Sequence, residues 1–518
     1  MKSILIVGGG SAGWMAAAYL NHVLRRPGGE EPIGITVVES EDIGTIGVGE
    51  ATIPTLRNFL RNIDVPEWRF LLDTNASFKH GIRFLDWMQP PAGRPVHEYF
   101  HLFEHPAVFE GYGVGTHWVA LRDRGVSQPP FWDAVGVQAE LCRRLKSPKP
   151  YDAMPYESPV PYAYHIDAAK FGGLLRSIAT RRGVRCLRDT VIEVHKTPKG
   201  GISHVTTRDN GDLSADFFVD ASGFRSILLG GALREPFESW SDYLLCDRAV
   251  ACQTPHEQEV PKLRPYTTAT AKESGWIWDI DLFSRRGSGY VYSSRHSTAD
   301  DADRILREHL GPRGASASTR CLQMEIGHRR NMWVENCLGV GLAAGFVEPL
   351  ESTGIYLVET ALSLFIDHIC DGPGAPYLAS RFNLKMRQIY EELRDFLQIH
   401  YVLTDREDSR FWRDYRREVK MSDSLKYRLD LWTFKLPSLT DLDGHLALFG
   451  PANYSYILAG MNRLPPGINH ASPFISPTRS AKALRVVEEA RERLAAAYPN
   501  HYEYLKKQRS VARESPAA

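Results

Sequence analysis

Near the start of the chain Ser3 leads into an unbroken apolar run, Ile4-Leu5-Ile6-Val7, which stops at three consecutive glycines. A run of that length without alternation is the pattern of a short strand buried on both faces. Gly8 to Gly13 then reads as a tight turn, and Trp14 to Arg25 as a helix whose small residues Ala16, Ala17 and Ala18 permit close packing. Pro27 to Pro32 reads as the loop back and Ile35-Thr36-Val37-Val38-Glu39 as a second, parallel strand, completing a βαβ unit. Pieces of the same kind recur far along the chain. One is Val184 to Val194 with the apolar strand Phe217 to Asp220 that leads into Ala221-Ser222-Gly223; another is Cys337 to Gly341, followed by a glycine-broken turn and a helix from about Ser352 to Ile369. The pattern predicts an α/β fold with a discontinuous first domain, residues 1–85 and 150–375, that carries an inserted sheet. Residues 86–149 and 376–518, rich in Trp, Phe, Tyr and His, are expected to form a largely helical second module with aromatic walls. Ser480 to Lys507 reads as one or two amphipathic helices, and the small polar residues from Ser510 onward as a frayed end.

Composition narrows the partners. At 518 residues the chain can bury a large core, and its 62 Lys+Arg against 62 Asp+Glu leave no global field to attract nucleic acid or an anionic membrane. No uncharged apolar stretch is long enough to span a bilayer, which points to a cytoplasmic protein with a small or neutral partner. The seven cysteines are scattered and never spaced as C-x-x-C, arguing against a disulfide framework or a zinc site. The run His101-Leu102-Phe103-Glu104-His105 formally satisfies an H-x-x-E-H zinc pattern, but that motif needs a continuous helix, and this run is aromatic and followed at once by Pro106. No metal is expected.

The strongest chemical signal is Gly8-x-Gly10-x-x-Gly13, set directly after a strand and at the start of a helix. There the first glycine can turn, the second admits a pyrophosphate, and the third lets helix meet strand, while unpaired helix N–H groups face the phosphates. Glu39, ending the return strand about two dozen residues on, is placed to accept hydrogen bonds from ribose hydroxyls. Asp220-Ala221-Ser222-Gly223 falls where FAD-dependent monooxygenases have a later strand and turn, and no second full fingerprint follows, so the cofactor is read as FAD in a Rossmann-like domain. Its reduced form would then come from a separate NAD(P)H-dependent reductase.

Several blocks resemble the flavin-dependent halogenases of the tryptophan-halogenase type. They are Gly8-Gly9-Gly10-Ser11-Ala12-Gly13-Trp14-Met15-Ala16-Ala17, Ile46-Gly47-Val48-Gly49-Glu50-Ala51-Thr52-Ile53-Pro54, Ser77-Phe78-Lys79-His80-Gly81, and Phe346 to Ile355 around Glu351-Ser352-Thr353-Gly354. A fifth, Trp276-Ile277-Trp278-Asp279-Ile280-Asp281, matches the family's Trp-x-Trp-x-Ile-Pro signature except that Asp281 replaces the proline. The resemblance implies that reduced FAD, dioxygen and bromide or chloride yield hypohalous acid, which travels through a tunnel to an aromatic substrate. It assigns Lys79 to passing the electrophilic halogen and Glu351 to accepting the ring proton, with Glu348 in reserve. Thr353 and Gly354 would offer halide a helix N-terminus, although an ordinary N-cap by Ser352 or Thr353 has the same sequence. The cofactor contacts it implies are Gly8, Gly10, Ser11, Ala12, Gly13, Trp14, Glu39, Gly49, Glu50, Ala51, Val191 and Leu342, with Gly47 to Glu50 as a strap beside the flavin; His101 and Phe103 would flank the arene.

Family members that take free tryptophan hold its ammonium with a glutamate beside paired tyrosines. The corresponding segment here, Phe449 to Gly460, has two separated tyrosines and no carboxylate, which favours indole or another electron-rich arene. An aromatic hydroxylase and a non-catalytic flavin-binding protein are the alternative readings, and a homodimer is left open.

Overall fold

The computed structural model describes residues 1–514 apart from 26–31, 42–48, 90–95, 257–259, 371–374, 443–447 and 466–474. The chain divides into two compact units. Met1–Ala76, Ile166–Ser241 and Gln323–Glu391 form the first, and Ser77–His165, Asp242–Leu322 and Glu392–Ala518 the second.

In the first unit the run Ser3–Val7 is the third strand of a six-stranded sheet ordered 185–188, 34–39, 3–7, 217–220, 337–339, 333–334. The first five strands are parallel and the last turns back antiparallel. Their burial on both faces explains why the run lacks polar alternation. Register sets Val7 beside Val38 and Asp220, so Gly8 emerges at the carboxyl edge of the sheet, where open sheets of this kind bind ligands. The helix after it spans Ser11–Val23, three residues earlier at its start than the apolar pattern suggests, because Gly10 ends the turn. It packs against the helices Ala168–Arg181 and Gly354–His368, with Ala16, Ala17 and Ala18 fully buried. Val184 to Val194 is not one piece. Arg185–Arg188 joins the large sheet, whereas Val191–Lys196 opens a three-stranded antiparallel sheet with Ile202–Thr207 and Gly211–Ser214. This is the Rossmann-like α/β architecture.

The second unit joins a large sheet to the helices of residues 114–143 and 392–514. Residues 242–322, expected beside the nucleotide fingerprint, group here and supply most of a seven-stranded sheet ordered 319–323, 248–255, 285–292, 275–281, 267–272, 81–85, 98–102. The link is long-range: Thr267–Lys272 pairs in parallel with Gly81–Leu85, which the local apolar pattern cannot reveal. Helix Ala299–Leu310 covers one face through Ala302, Leu306 and Leu310, packed on Val250, Ile277 and Tyr290. Aromatic packing fills the rest: Phe84 stacks on both Tyr99 and His400 at 4.7 Å, and Trp87 meets Tyr401 at 5.2 Å. The end expected to fray from Ser510 continues as helix His501–Glu514, while 515–518 lie outside the described residues. The helix is held where Arg509 sits 4.0 Å over the Phe283 ring and Phe283 stacks on Tyr502. Among the described residues no helix is long and apolar enough to cross a membrane.

Candidate active site

The nucleotide turn is built by exclusion. Gly8 has φ of 120°, and a Cβ there would lie 2.2 Å from the Ala221 carbonyl oxygen; one on Gly13 would lie 1.9 Å from the Gly8 carbonyl oxygen. Both close approaches tie the Asp220-to-Gly223 turn and the helix start to the strand end. Asp220 holds the second turn by accepting from the N–H groups of Ser222, Leu228 and Leu229 and from the Ser222 hydroxyl. A Cβ on Gly10, by contrast, would meet nothing within 4 Å. Gly10 is also an N-cap, so the first turn of helix Ser11–Val23 has no side-chain cap. Open room beside uncapped donors fits the pyrophosphate of FAD.

Glu39 ends its strand as expected, but its carboxylate is already engaged. It accepts from Trp14 Nε1 at 3.1 Å and pairs with Arg176 at 2.7 Å, whose guanidinium lies 5.9 Å over the Trp14 ring. Arg176, on helix Ala168–Arg181, was missed by the sequence reading because only the fold brings it to residue 39. The Ser11 hydroxyl donates to the Ala168 carbonyl at 3.2 Å. Val191 packs beside Leu5, Val7 and Val38, and Leu342 lies in the turn Gly341–Ala343, where a Cβ on Gly341 would reach 2.7 Å from Ala12. Gly49–Ala51 forms a short strand, and burial followed by the nearby Asp167 charge pushes the Glu50 carboxyl up to about 7. The rest of the expected strap, Gly47 and Val48, lies outside the described residues.

The halide candidates fall at a helix start in the same unit. Pro349–Glu351 makes one tight turn, Ser352 adopts a left-handed φ of 62°, and Thr353 caps the helix Gly354–His368. The cap is made without a side-chain bond: the Thr353 hydroxyl is buried and has no partner among the described residues, while Gly354 is exposed with nothing within 4 Å of a Cβ. An ordinary N-cap would use that hydroxyl. Glu351 and Glu348 are both buried, but Glu348 is extended and precedes the turn, so the two carboxylates do not share a helical face.

In the second unit Lys79 closes the strand Ser77–Lys79, paired antiparallel with Ala163 to His165. Its side chain has no exposed surface, and its Nζ lies 5.2 Å from the centre of the half-buried Phe103 ring. Next to it, His165 sits between the hydroxyls of Ser77 and Thr267, and burial, then the Lys79 charge, holds its imidazole well below the ordinary range. His101 lies on the strand Glu98–Leu102. Asn453 Oδ1 accepts from the Gly450 N–H, so its Nδ2 donates to His101 Nε2 at 2.9 Å and the ring proton belongs on Nδ1. The zinc-like pattern is therefore strand and bend rather than helix, with His101 buried and His105 exposed.

Residues 3–500 match the family model described as tryptophan halogenase. The chain belongs to the tryptophan halogenase family. Tryptophan 6-halogenase SttH of Streptomyces toxytricini is 35% identical to it over 97% of each chain. Among solved structures, Tar14, a tryptophan C-6 flavin-dependent halogenase from taromycin biosynthesis, superposes with a TM-score of 0.92 at 37% identity, covering 98% of this chain and all of that one. BrvH, a flavin-dependent halogenase from Brevundimonas sp. BAL3, gives 0.87 at 33% identity over 98% and 99%. The protein is thus an oxidoreductase of the flavin-dependent halogenases, and that dependence implies FAD.

Two further features complete this halogenase's second unit. Asp281, in place of the signature proline, is the last residue of the strand Gly275–Asp281 and forms a buried fork with Arg264 at 2.9 Å and Arg286 at 2.6 Å. At the strand end the Leu282 N–H reaches the Arg285 carbonyl and Asp281 pairs in register with Arg286. The Asp281 carbonyl also accepts from the Ser77 hydroxyl at 2.5 Å, two residues from Lys79. The segment 449–460 supplies an aromatic wall: Phe449 stacks on Phe396 at 3.7 Å, His101 lies 5.6 Å from Phe396, and Tyr454 and Tyr456 on helix Pro451–Gly460 are fully buried. Burial raises the Tyr454 phenol well above its ordinary range, with Arg428 opposing and Glu392 and Asp395 adding to the shift. Of these carboxylates Asp395 is taken up by Arg394 and by the Ser422 hydroxyl.

Proposed function

We propose that this halogenase uses reduced FAD, dioxygen and bromide or chloride to halogenate an electron-rich arene, indole or an indole derivative. FAD, when bound and reduced by way of a separate NAD(P)H-dependent reductase, supplies the electrons for the dioxygen chemistry that turns halide into hypohalous acid. The first unit has the cofactor tasks. Uncapped N–H groups after Gly10 hold the pyrophosphate, and Thr353 and Gly354 hold the halide through a hydroxyl, an N–H and the positive end of the helix.

The second unit has the arene. Lys79 receives hypohalous acid, either as a hydrogen-bond donor that polarises its oxygen–halogen bond or as an amine that takes the halogen with release of water. In either case the ring gains a carbon–halogen bond and loses a proton, which Glu351 accepts as a general base. His101 and Phe103 flank the ring. The observation that carries the reading is the lysine: most lysines are solvated, whereas Lys79 has no exposed surface and faces an aromatic ring. The lack of any Asp or Glu between Phe449 and Gly460 supports an arene without an ammonium group over free tryptophan.

The test is an incubation of the protein with FAD, a flavin reductase, NADH, bromide and indole, with products read by mass spectrometry and chloride and tryptophan run in parallel. Brominated indole is expected, and Lys79→Ala is expected to lose it while retaining FAD. Hydroxylated indole as the product would overturn the proposal.

A further inference from the structure

The glutamate of the discarded zinc pattern has other work. The geometry points to Glu104 as a positioning residue for the arene: a buried polar bracket from Glu104 through Gln138 to His80 holds Phe103 over Lys79. This rests on the roles proposed above for Lys79 and Phe103.

Glu104 is buried, and its two carboxylate oxygens accept the N–H groups of Val137 at 2.9 Å and Gln138 at 2.6 Å, where the short helix Gln138–Arg143 begins without a cap of its own. A Cβ on Gly136 would lie 2.2 Å from this carboxylate, so the chain there leaves room for it. The Gln138 side chain returns the contact, its Oε1 accepting the Glu104 N–H at 2.8 Å. Its amide nitrogen then donates to the Pro161 carbonyl at 2.6 Å and to His80 Nδ1 at 2.9 Å. His80 Nε2 donates to the Lys146 carbonyl at 3.2 Å, which fixes the tautomer and leaves every member of the chain satisfied. His80 follows Lys79, and its carbonyl accepts the Phe103 N–H at 3.0 Å. The bracket therefore joins the two strand ends that carry the lysine and the ring.

Glu104 accepts both N–H groups at full strength only when ionised, because protonation makes one oxygen a hydroxyl, a donor and a much poorer acceptor. Burial outweighs those two bonds and pushes its carboxyl up to about 7, so the bracket is half-formed near neutrality and complete above it. The titratable groups facing it do not titrate with it. Burial raises the thiol of Cys142 on the same helix and the phenol of Tyr456 on helix Pro451–Gly460, and it lowers His80 to about 3. On the same helix Arg143 is paired with Asp133 and Glu140, and Arg144 with Glu140 and Glu492.

The experiment is steady-state bromination of indole by the full chain with FAD and a flavin reductase from pH 6 to 8.5, with indole binding followed in parallel by calorimetry. Wild-type protein is expected to bind indole more tightly as pH rises through 7. Glu104→Gln is expected to raise the indole KM at pH 8 by about fivefold to tenfold with kcat little changed, to lose that pH dependence, and to add nothing to a Phe103→Leu background. PH-independent indole binding by the wild type would overturn the inference whether or not the variant folds, as would a variant that keeps the wild-type profile. Absence of brominated product from the wild type would count against the proposed reaction alone, since the binding measurement still judges the bracket.

Discussion

At residue 281 a carboxylate occupies a position where the family signature has proline, and the surroundings are built to take it. Burial opposes its ionisation, but Arg264 and Arg286 prevail and hold the carboxyl well below its ordinary value of 3.8. Removing the charge would leave two guanidinium groups facing each other in a buried place. Asp281→Asn is accordingly expected to lower stability by about 3 kcal/mol, read from urea denaturation at pH 7. Because the folded carboxyl is shifted down, its contribution is complete above the unfolded value and is lost as pH falls below about 4. The variant's stability should therefore fall less steeply than the wild type's in acid. Little of this could be seen beforehand: Asp281 stood out as a departure from a pattern, but its partners lie five and seventeen residues away with no periodicity to mark them. Arg176 beside Glu39 and Gln138 beside His80 were hidden for the same reason.

Elements were legible wherever local sequence decided them. Ser3–Val7 has the limits its apolar run predicts, and the helix expected from about Ser352 to Ile369 spans Gly354–His368, with the left-handed Ser352 setting its start. The fingerprint glycines separate two kinds of constraint that a motif treats alike. Gly13 must be glycine for the fold, since a Cβ would strike the Gly8 carbonyl oxygen, whereas the protein leaves space at Gly10. Gly10→Ala is expected to melt within a few degrees of the wild type and to bind FAD at least about tenfold more weakly, because the methyl group would take the place of pyrophosphate. Gly13→Ala is expected to lower the melting temperature itself. Thermal melts of the cofactor-free proteins and FAD titrations by fluorescence check both, and equal FAD affinity in Gly10→Ala and wild type would remove the pyrophosphate from this turn.

For the whole molecule, buried ionisable groups of opposite tendency shape stability against pH. Burial pushes Glu50 and Glu104 up to about 7 and Glu359 up to about 8, so folding takes up protons between the ordinary carboxyl range and those values, and stability falls as pH rises toward 8. Burial lowers His80 to about 3, His501 to about 4, and His165 as well, so the unfolded chain binds the extra protons below 6.5 and stability is lost as pH falls. Between about pH 4.5 and 6.5 the two sets oppose one another. A plateau there, with decline on both sides, is expected in thermal denaturation across pH 4 to 8.5, and Glu359→Gln should reduce the alkaline decline.

The sequence alone determined the nucleotide turn, the α/β class and the residues that carry the family resemblance, because each depends on neighbours within a few positions or on motifs read in order. It also marked Lys79, Glu351, Thr353 and Gly354 as candidates. Tertiary structure decided the rest. Pairing of Gly81–Leu85 with Thr267–Lys272 drew residues 242–322 into the second unit, and folding enclosed the Lys79 side chain, which the sequence alone would leave solvated. The Glu104 bracket likewise depends on contacts over twenty to sixty residues. Such contacts form because buried polar groups must find partners, and which partner lies within reach is a property of the folded chain rather than of any local pattern.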